Sequence, residues 1–363
     1  MKSRLAAATD AGEAVTVSRM PRRSAASALT RVYQRNLRAL TKATLGNGRK
    51  IGKKIVRAAA AKSKAPPGEG DWISGMAIGP AGARRYHLYR PPGLPGGEKY
   101  PLMVMLHGCG QTARDFALST RMNRLAARER FLVLYPEQDR LANPHGCWNW
   151  FDTRSGKARA EAATLLAAVD QACLLYAVDR ERVAVAGLSA GASMAVLMAT
   201  HFPARFKAVV MHSGVAPGAA QSSASALSAM RGQRMPAPAT AIGKAMGAAL
   251  MGATLPPLMV LHGDADAVVT PGNARAAAAV WAAATGAKPG LERTLQRGKR
   301  HPMRLTDYRR DGQIAVTLCE IGSMGHAWSG GLGSQPYSDA AGPDATKLAW
   351  AFVAKQFGMG ESA

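Results

Sequence analysis

The chain has 363 residues, 47% of them hydrophobic and 19% charged, enough apolar content for a sizeable core and too little charge for wholesale disorder. No stretch of about 18 uncharged apolar residues occurs, so no membrane-spanning helix is predicted. The formal net charge is +24, and residues 1–70 alone hold 16 Lys/Arg against 3 Asp/Glu, which sets a basic arm apart from a less basic body.

Residues 1–70 are expected to be a basic N-terminal extension, partly helical or disordered. Leu29, Val32, Tyr33, Leu37 and Leu40 recur at helical spacing, with Arg31, Arg35, Arg38 and Lys42 on another face. A second basic helix is predicted over Ile51–Ala61, and Pro66-Pro67-Gly68 reads as a linker. Such an arm suits an anionic surface or coated polymer granule, engaged through residues 1–65. Nucleic acid is not the favoured partner, and the plainer reading is a solvated leader. Asp10 and Glu13 interrupt the apolar run that a secretory signal needs, and Arg22-Arg23 leads into none, so no export signal is predicted.

From Trp72 the pattern becomes alternating strand and helix. Arg85–Arg90 alternates and stops at Pro91-Pro92. Leu102–Leu106, Phe131–Tyr135, Val183–Ala186, Ala208–Met211, Leu258–Leu261 and Ile314–Leu318 are short apolar runs, as strands buried on both faces would be. Helices are predicted over Ala160–Tyr176, Ala192–Thr200, Ala274–Ala284 and Ala345–Phe357. This alternation predicts an α/β fold over residues 71–363, a mostly parallel central sheet flanked by helices. Residues 215–256, rich in Ala, Gly, Met, Pro and Ser, interrupt the rhythm and are read as a lid or a plain surface loop.

Gly187-Leu188-Ser189-Ala190-Gly191 carries the chemistry. The G-x-S-x-G pattern between an apolar strand and a small-residue helix puts serine on a sharp turn, with its hydroxyl lifted from the sheet. Ser189 is the expected nucleophile, and the Ala190 amide is expected to face the oxyanion. In an α/β-hydrolase fold the order is serine, acid, histidine. The acid should follow a late strand, where His262-Gly263-Asp264-Ala265-Asp266 stands. Asp266 lies further into that loop and is favoured over Asp264, which suits a loop cap. His301 has basic neighbours and reads as exposed. His326, in a glycine-rich loop after the strand Ile314–Leu318, is the expected base. The loop His107-Gly108-Cys109-Gly110-Gln111 follows an early strand and supplies a second oxyanion amide. None of Cys109, Cys147, Cys173 and Cys319 forms a CxxC pair, so no metal site is expected.

These pieces together resemble the polyhydroxybutyrate depolymerase family of esterases. The likeness rests on Leu106–Gln111, Tyr135–Gln138, Cys147-Trp148-Asn149-Trp150-Phe151, Arg182–Met194, His262–Asp266 and Gly325–Gly331. It implies a Ser189–Asp266–His326 triad, an oxyanion hole from the Cys109 and Ala190 amides, and no cofactor. It also implies a Cys109–Cys147 disulfide, against the alternative of two buried thiols. Trp148 and Trp328, with Gln111, are expected to contact the ester, while Trp150 is expected in the core. The implied substrate is an oligomeric or polymeric hydroxyalkanoate ester, such as a 3-hydroxybutyrate ester. Related feruloyl and acetyl-xylan esterases share the motifs and form the alternative. A granule- or surface-binding protein acting through its leader is the alternative from another class. The resemblance implies an extracellular location, whereas the absent signal would fit the cytoplasm.

Overall fold

In the computed structural model of the protein, residues 65–234 and 254–359 are described. The two basic helices expected before residue 62 lie outside them, as do residues 235–253 of the expected lid. The strands are β1 (Asp71–Gly79), β2 (Gly82–Arg90), β3 (Tyr100–Leu106), β4 (Leu132–Pro136), β5 (Val178–Leu188), β6 (Ala208–His212), β7 (Leu258–Gly263), β8 (Lys288–Pro289), β9 (Arg293–Leu295), β10 (Met303–Arg310) and β11 (Gln313–Ile321). They form one sheet in the order β1-β2-β4-β3-β5-β6-β7-β11-β10-β8, with β9 paired to β10. The middle, from β4 through β11, is parallel. Antiparallel pairings close both edges.

The helices are α1 (Ala113–Thr120), α2 (Met122–Glu129), α3 (Lys157–Leu175), α4 (Ala190–His201), α5 (Ser223–Met230), α6 (Gly272–Thr285) and α7 (Ala345–Gln356). Period-two alternation along each strand sorts the core into two halves. Leu102, Val104 and Leu106 of β3 join side chains of α3, α4 and α6 on one face. Met103 and Met105 join those of α1, α2 and α7 on the other. Every residue of β3, β4, β6 and β7 is buried, which is why these strands read as unbroken apolar runs.

Three features differ from the sequence reading. Strand β1 was not anticipated, because its one-sided burial leaves Met76 and Ile78 exposed and the alternation weak. Helices α1 and α2 fill the stretch after the Gly108–Gln111 loop. Thr112 and Asp115 form a reciprocal cap that starts α1, a T-x-x-D signal legible in the chain. The basic stretch around His301 enters strand β10, and His301 is half-buried with its Nε2 3.3 Å from Asp339. From the expected lid, residues 215–234 are described: Val215, Ala216, Ala219 and Ala220 are buried, and α5 follows a Ser222 cap. No described helix is long and apolar enough to cross a membrane.

Candidate active site

Strand β5 runs directly into α4 through Ser189, whose backbone sits at φ 57°, ψ −120°. A non-glycine residue there is strained by about 1–3 kcal/mol and persists only when its surroundings hold it. The flanking glycines explain how. A Cβ on Gly187 would lie 2.3 Å from Gly191 C, and one on Gly191 would lie 2.1 Å from Leu106 O. The turn therefore folds onto itself and onto the end of β3 in a space that excludes side chains. The Ser189 amide donates to His212 O (2.9 Å). Ala190 opens α4, so its amide has no intrahelical acceptor.

The loop after β3 lies against this turn: a Cβ on Gly108 would stand 3.6 Å from Ser189 Cβ. Cys109 and Cys147 form the disulfide that the resemblance implies. Gly110 N donates to His145 O (3.1 Å), and Gly108 N donates to Gln111 Oε1 (2.9 Å). His107 is locked on three sides. Its carbonyl accepts from Trp148 Nε1 (2.9 Å), its Nε2 accepts from Gln138 N (3.1 Å), and its Nδ1 donates to Gly108 O (2.8 Å). Burial pushes this imidazole below its ordinary range, which preserves the neutral tautomer those bonds require. The Cys109 and Ala190 amides donate to no protein acceptor among the described residues.

Asp266 follows β7 and is 4% exposed. Its Oδ1 accepts from Val268 N and Val269 N (2.9 Å each). Its Oδ2 lies 2.7 Å from His326 Nδ1 and 3.2 Å from His262 Nε2. Burial alone would raise this carboxyl, but the bonds from His262 and His326 outweigh it and hold it below the usual carboxylate range. Asp264 takes the other role weighed for it: its Oδ1 accepts from Ser323 N (2.7 Å) and anchors the histidine loop. Gly263 permits that anchorage, since a Cβ there would lie 2.1 Å from Met324 O.

The loop carrying His326 is fixed from behind. Ser329 N donates to His212 Nε2 (3.1 Å), Leu332 N to Ser119 O (2.9 Å), and Thr346 Oγ1 to Thr120 O (2.6 Å). His212 thus ties the serine turn, through its carbonyl, to the histidine loop, through its ring. No hydrogen bond joins Ser189 Oγ to His326 among the described residues; contacts of this kind often tighten only around substrate.

Three expected substrate contacts sit elsewhere. Trp148 and Trp328 are both 0% exposed. Trp148 spends its N–H on His107 O, and Trp328 donates to Thr346 Oγ1 (3.0 Å) while stacking on His212. Neither ring can wall a substrate from inside the core. Gln111 is 7% exposed, with its carbonyl engaged by Gly108, so it braces the loop. Trp150, expected in the core, is the partly exposed ring of this group. The sequence reading gives no role to His212, to Glu161 or, although it quotes the motif, to His262. Each lies inside or beside an apolar run, where a lone polar residue carries no spacing signal.

Among the described residues, no group of three or more His, Cys, Asp or Glu side chains is placed to hold a metal ion. A family model for esterase PHB depolymerases matches residues 84–288. The chain belongs to that family. The match takes in Ser189 and Asp266 and ends before His326. Among named relatives, poly(3-hydroxyalkanoate) depolymerase C of Paucimonas lemoignei is 33% identical over 185 residues, 50% of this chain and 44% of that protein. Feruloyl esterase B of Neurospora crassa is 33% identical over 144 residues, 39% of this chain and 48% of that protein. The chain thus spans less than half the length of these two relatives. An acetyl xylan esterase from Aspergillus awamori superposes with a TM-score of 0.62 at 20% identity, over 71% of this chain and 94% of that one. The family's fold here is that of the α/β-hydrolases.

Proposed function

We propose that the protein is a carboxylic ester hydrolase in which Ser189, His326 and Asp266 act as nucleophile, base and orienting acid. The observation that carries this reading is the 2.7 Å bond from His326 Nδ1 to a buried Asp266 carboxylate, on loops beyond parallel neighbours β7 and β11, with Ser189 on the strained turn after β5. His326 Nε2 takes the Ser189 proton as Oγ attacks the ester carbonyl. Asp266 holds the imidazole tautomer and stabilises its cation. The Cys109 and Ala190 amides receive the oxyanion. The proton passes to the departing alcohol, and water then releases the acid by the same assistance in reverse.

The favoured substrate is a short hydroxyalkanoate ester, oligomeric or polymeric, as the family and the depolymerase relative suggest. A second reading, an acetyl or feruloyl ester on a polysaccharide, is supported by the feruloyl esterase relative and the acetyl xylan esterase likeness. Initial rates on 3-hydroxybutyrate oligomers, solid polymer, acetylated xylan and methyl ferulate decide between them. Ser189→Ala should lower kcat on a p-nitrophenyl ester by at least about 10⁴-fold; a variant that keeps its activity overturns the assignment. The basic leader is proposed as a surface anchor. Deleting residues 1–65 should abolish sedimentation with polymer granules and spare hydrolysis of soluble ester.

A further inference from the structure

His262 stands one residue before the end of β7 with a fully buried ring. Its Nε2 stands 2.8 Å from Val269 O and 3.2 Å from Asp266 Oδ2. Both neighbours are acceptors, so Nε2 carries the proton and shares it between them. Nδ1 is buried without a hydrogen-bond partner among the described residues. A buried acceptor left unpaired costs free energy. The site tolerates it in an orientation that sends the ring's one N–H to the acid. His326 Nδ1 reaches the same carboxylate oxygen at 2.7 Å. Two imidazoles therefore converge on Asp266 Oδ2, while the Val268 and Val269 amides occupy Oδ1.

We propose that His262 is a positioning residue for the reaction: its Nε2–H fixes the Asp266 carboxylate and divides that charge between two imidazoles, limiting the hold of Asp266 on the His326 proton. The inference rests on the triad reading given above. Without His262, Asp266 Oδ2 would have His326 as its sole side-chain donor and would bind the protonated imidazole more strongly. The active form, with His326 neutral, would then be lost at higher pH. The other charged or titratable groups around this centre are accounted for. His212, on β6, lies within electrostatic reach of His262 and then His326, with its ring bonded to Ser329 N and Ser213 Oγ. Glu320 stands in register with His262 on β11 and is held by Arg275 and Arg304. Asp264 is turned to Ser323 N.

The test compares the full chain with His262→Phe, which keeps a ring and removes the donor, and His262→Gln, whose amide N–H restores one. The readouts are kcat and KM against pH on a soluble p-nitrophenyl ester, with thermal melting as a check on folding. In His262→Phe the acid limb of kcat/KM should move up by about 0.5 pH unit or more, with kcat down about tenfold and KM nearly constant. His262→Gln should bring the limb back toward the parent position. A merely structural histidine would lower melting temperature and leave the limb in place, and that result overturns the proposal. Should His262→Phe fail to fold, ¹⁵N-histidine spectra of the unaltered protein decide. They should give His262 as the Nε2–H tautomer with a slowly exchanging proton, and an Nδ1–H tautomer overturns the idea. His326→Ala, run in parallel, separates the two levels. If it stays active the triad reading fails; if it is inactive while His262→Phe keeps the parental limb, only the His262 inference fails.

Discussion

Arg84 and Glu161 meet inside the protein with both side chains 1% exposed and 3.2 Å between them. The carboxylate does more than pair. It also accepts from Gln138 Nε2 (2.7 Å), Asn149 N (2.6 Å) and Asn149 Nδ2 (3.3 Å). Gln138 and Trp148 in turn hold His107 and the loop beyond β3. A carboxylate on helix α3 thus supports the Cys109 amide from a distance, through the loop that contains Cys147.

Glu161→Ala strands the guanidinium and takes the acceptor from three amide donors at once. Breaking a buried pair by removing one partner costs about 3–5 kcal/mol, so the variant's denaturation midpoint should fall accordingly. The loop beyond β3 should lose its aim, lowering kcat by about 10²-fold with KM little changed. An unaltered kcat in a folded variant would contradict the supporting role.

Ser189 stores strain at φ 57°. Glycine adopts that region freely. Ser189→Gly should therefore raise unfolding free energy by about 1 kcal/mol or more while abolishing ester hydrolysis. A destabilised glycine variant would show that the turn is not strained.

The disulfide joins residues 38 apart. Replacing Cys109 and Cys147 together with serine should cost about 2–4 kcal/mol of stability. On the proposed oxyanion hole, activity should fall more than stability predicts, because the Cys109 amide would lose Cys147 as its covalent brace. Thermal melts and kcat with and without reductant on the parent protein give the same comparison.

His212 makes stability depend on pH. Burial, reinforced by the His262 and His326 charges, pushes its imidazole from 6.5 to about 3. In the window between those values the unfolded chain binds a proton there and the folded chain does not. Stability from this group is complete above 6.5 and declines as pH falls toward 3. His212→Gln, which keeps an acceptor for Ser329 N, should flatten that slope. Denaturant midpoints at pH 4.5 and pH 7 measure it; an equal slope in both proteins removes His212 as the cause.

Much of this was legible in the chain. The parallel strands announce themselves because burial on both faces makes them apolar throughout, as in Leu102–Leu106 and Leu258–Leu261. The strand-to-helix turn at Ser189 and the post-strand loops that bring Asp266 and His326 together were legible from their glycines and apolar flanks. Trp148 and Trp328 were misassigned because an aromatic beside a catalytic motif has the same composition whether it faces substrate or core. Only the partner of its indole N–H tells them apart. Glu161 and Arg84 were hidden for a related reason. A charge on an alanine-rich helix reads as solvated until its partner, 77 residues away, is brought to it.

The pinning of the His326 loop by Ser119 and Thr120 also bears on when the proposed base is seated. Those anchors leave the ribosome early, yet the residues they grip, Leu332 and Thr346, are made more than 200 positions later. At about 5–20 residues per second, the roughly 140 positions between the serine turn and Leu332 take about 7 seconds or more to make. On the proposed triad, the base gains its seat only after that later stretch has packed against α1 and α2.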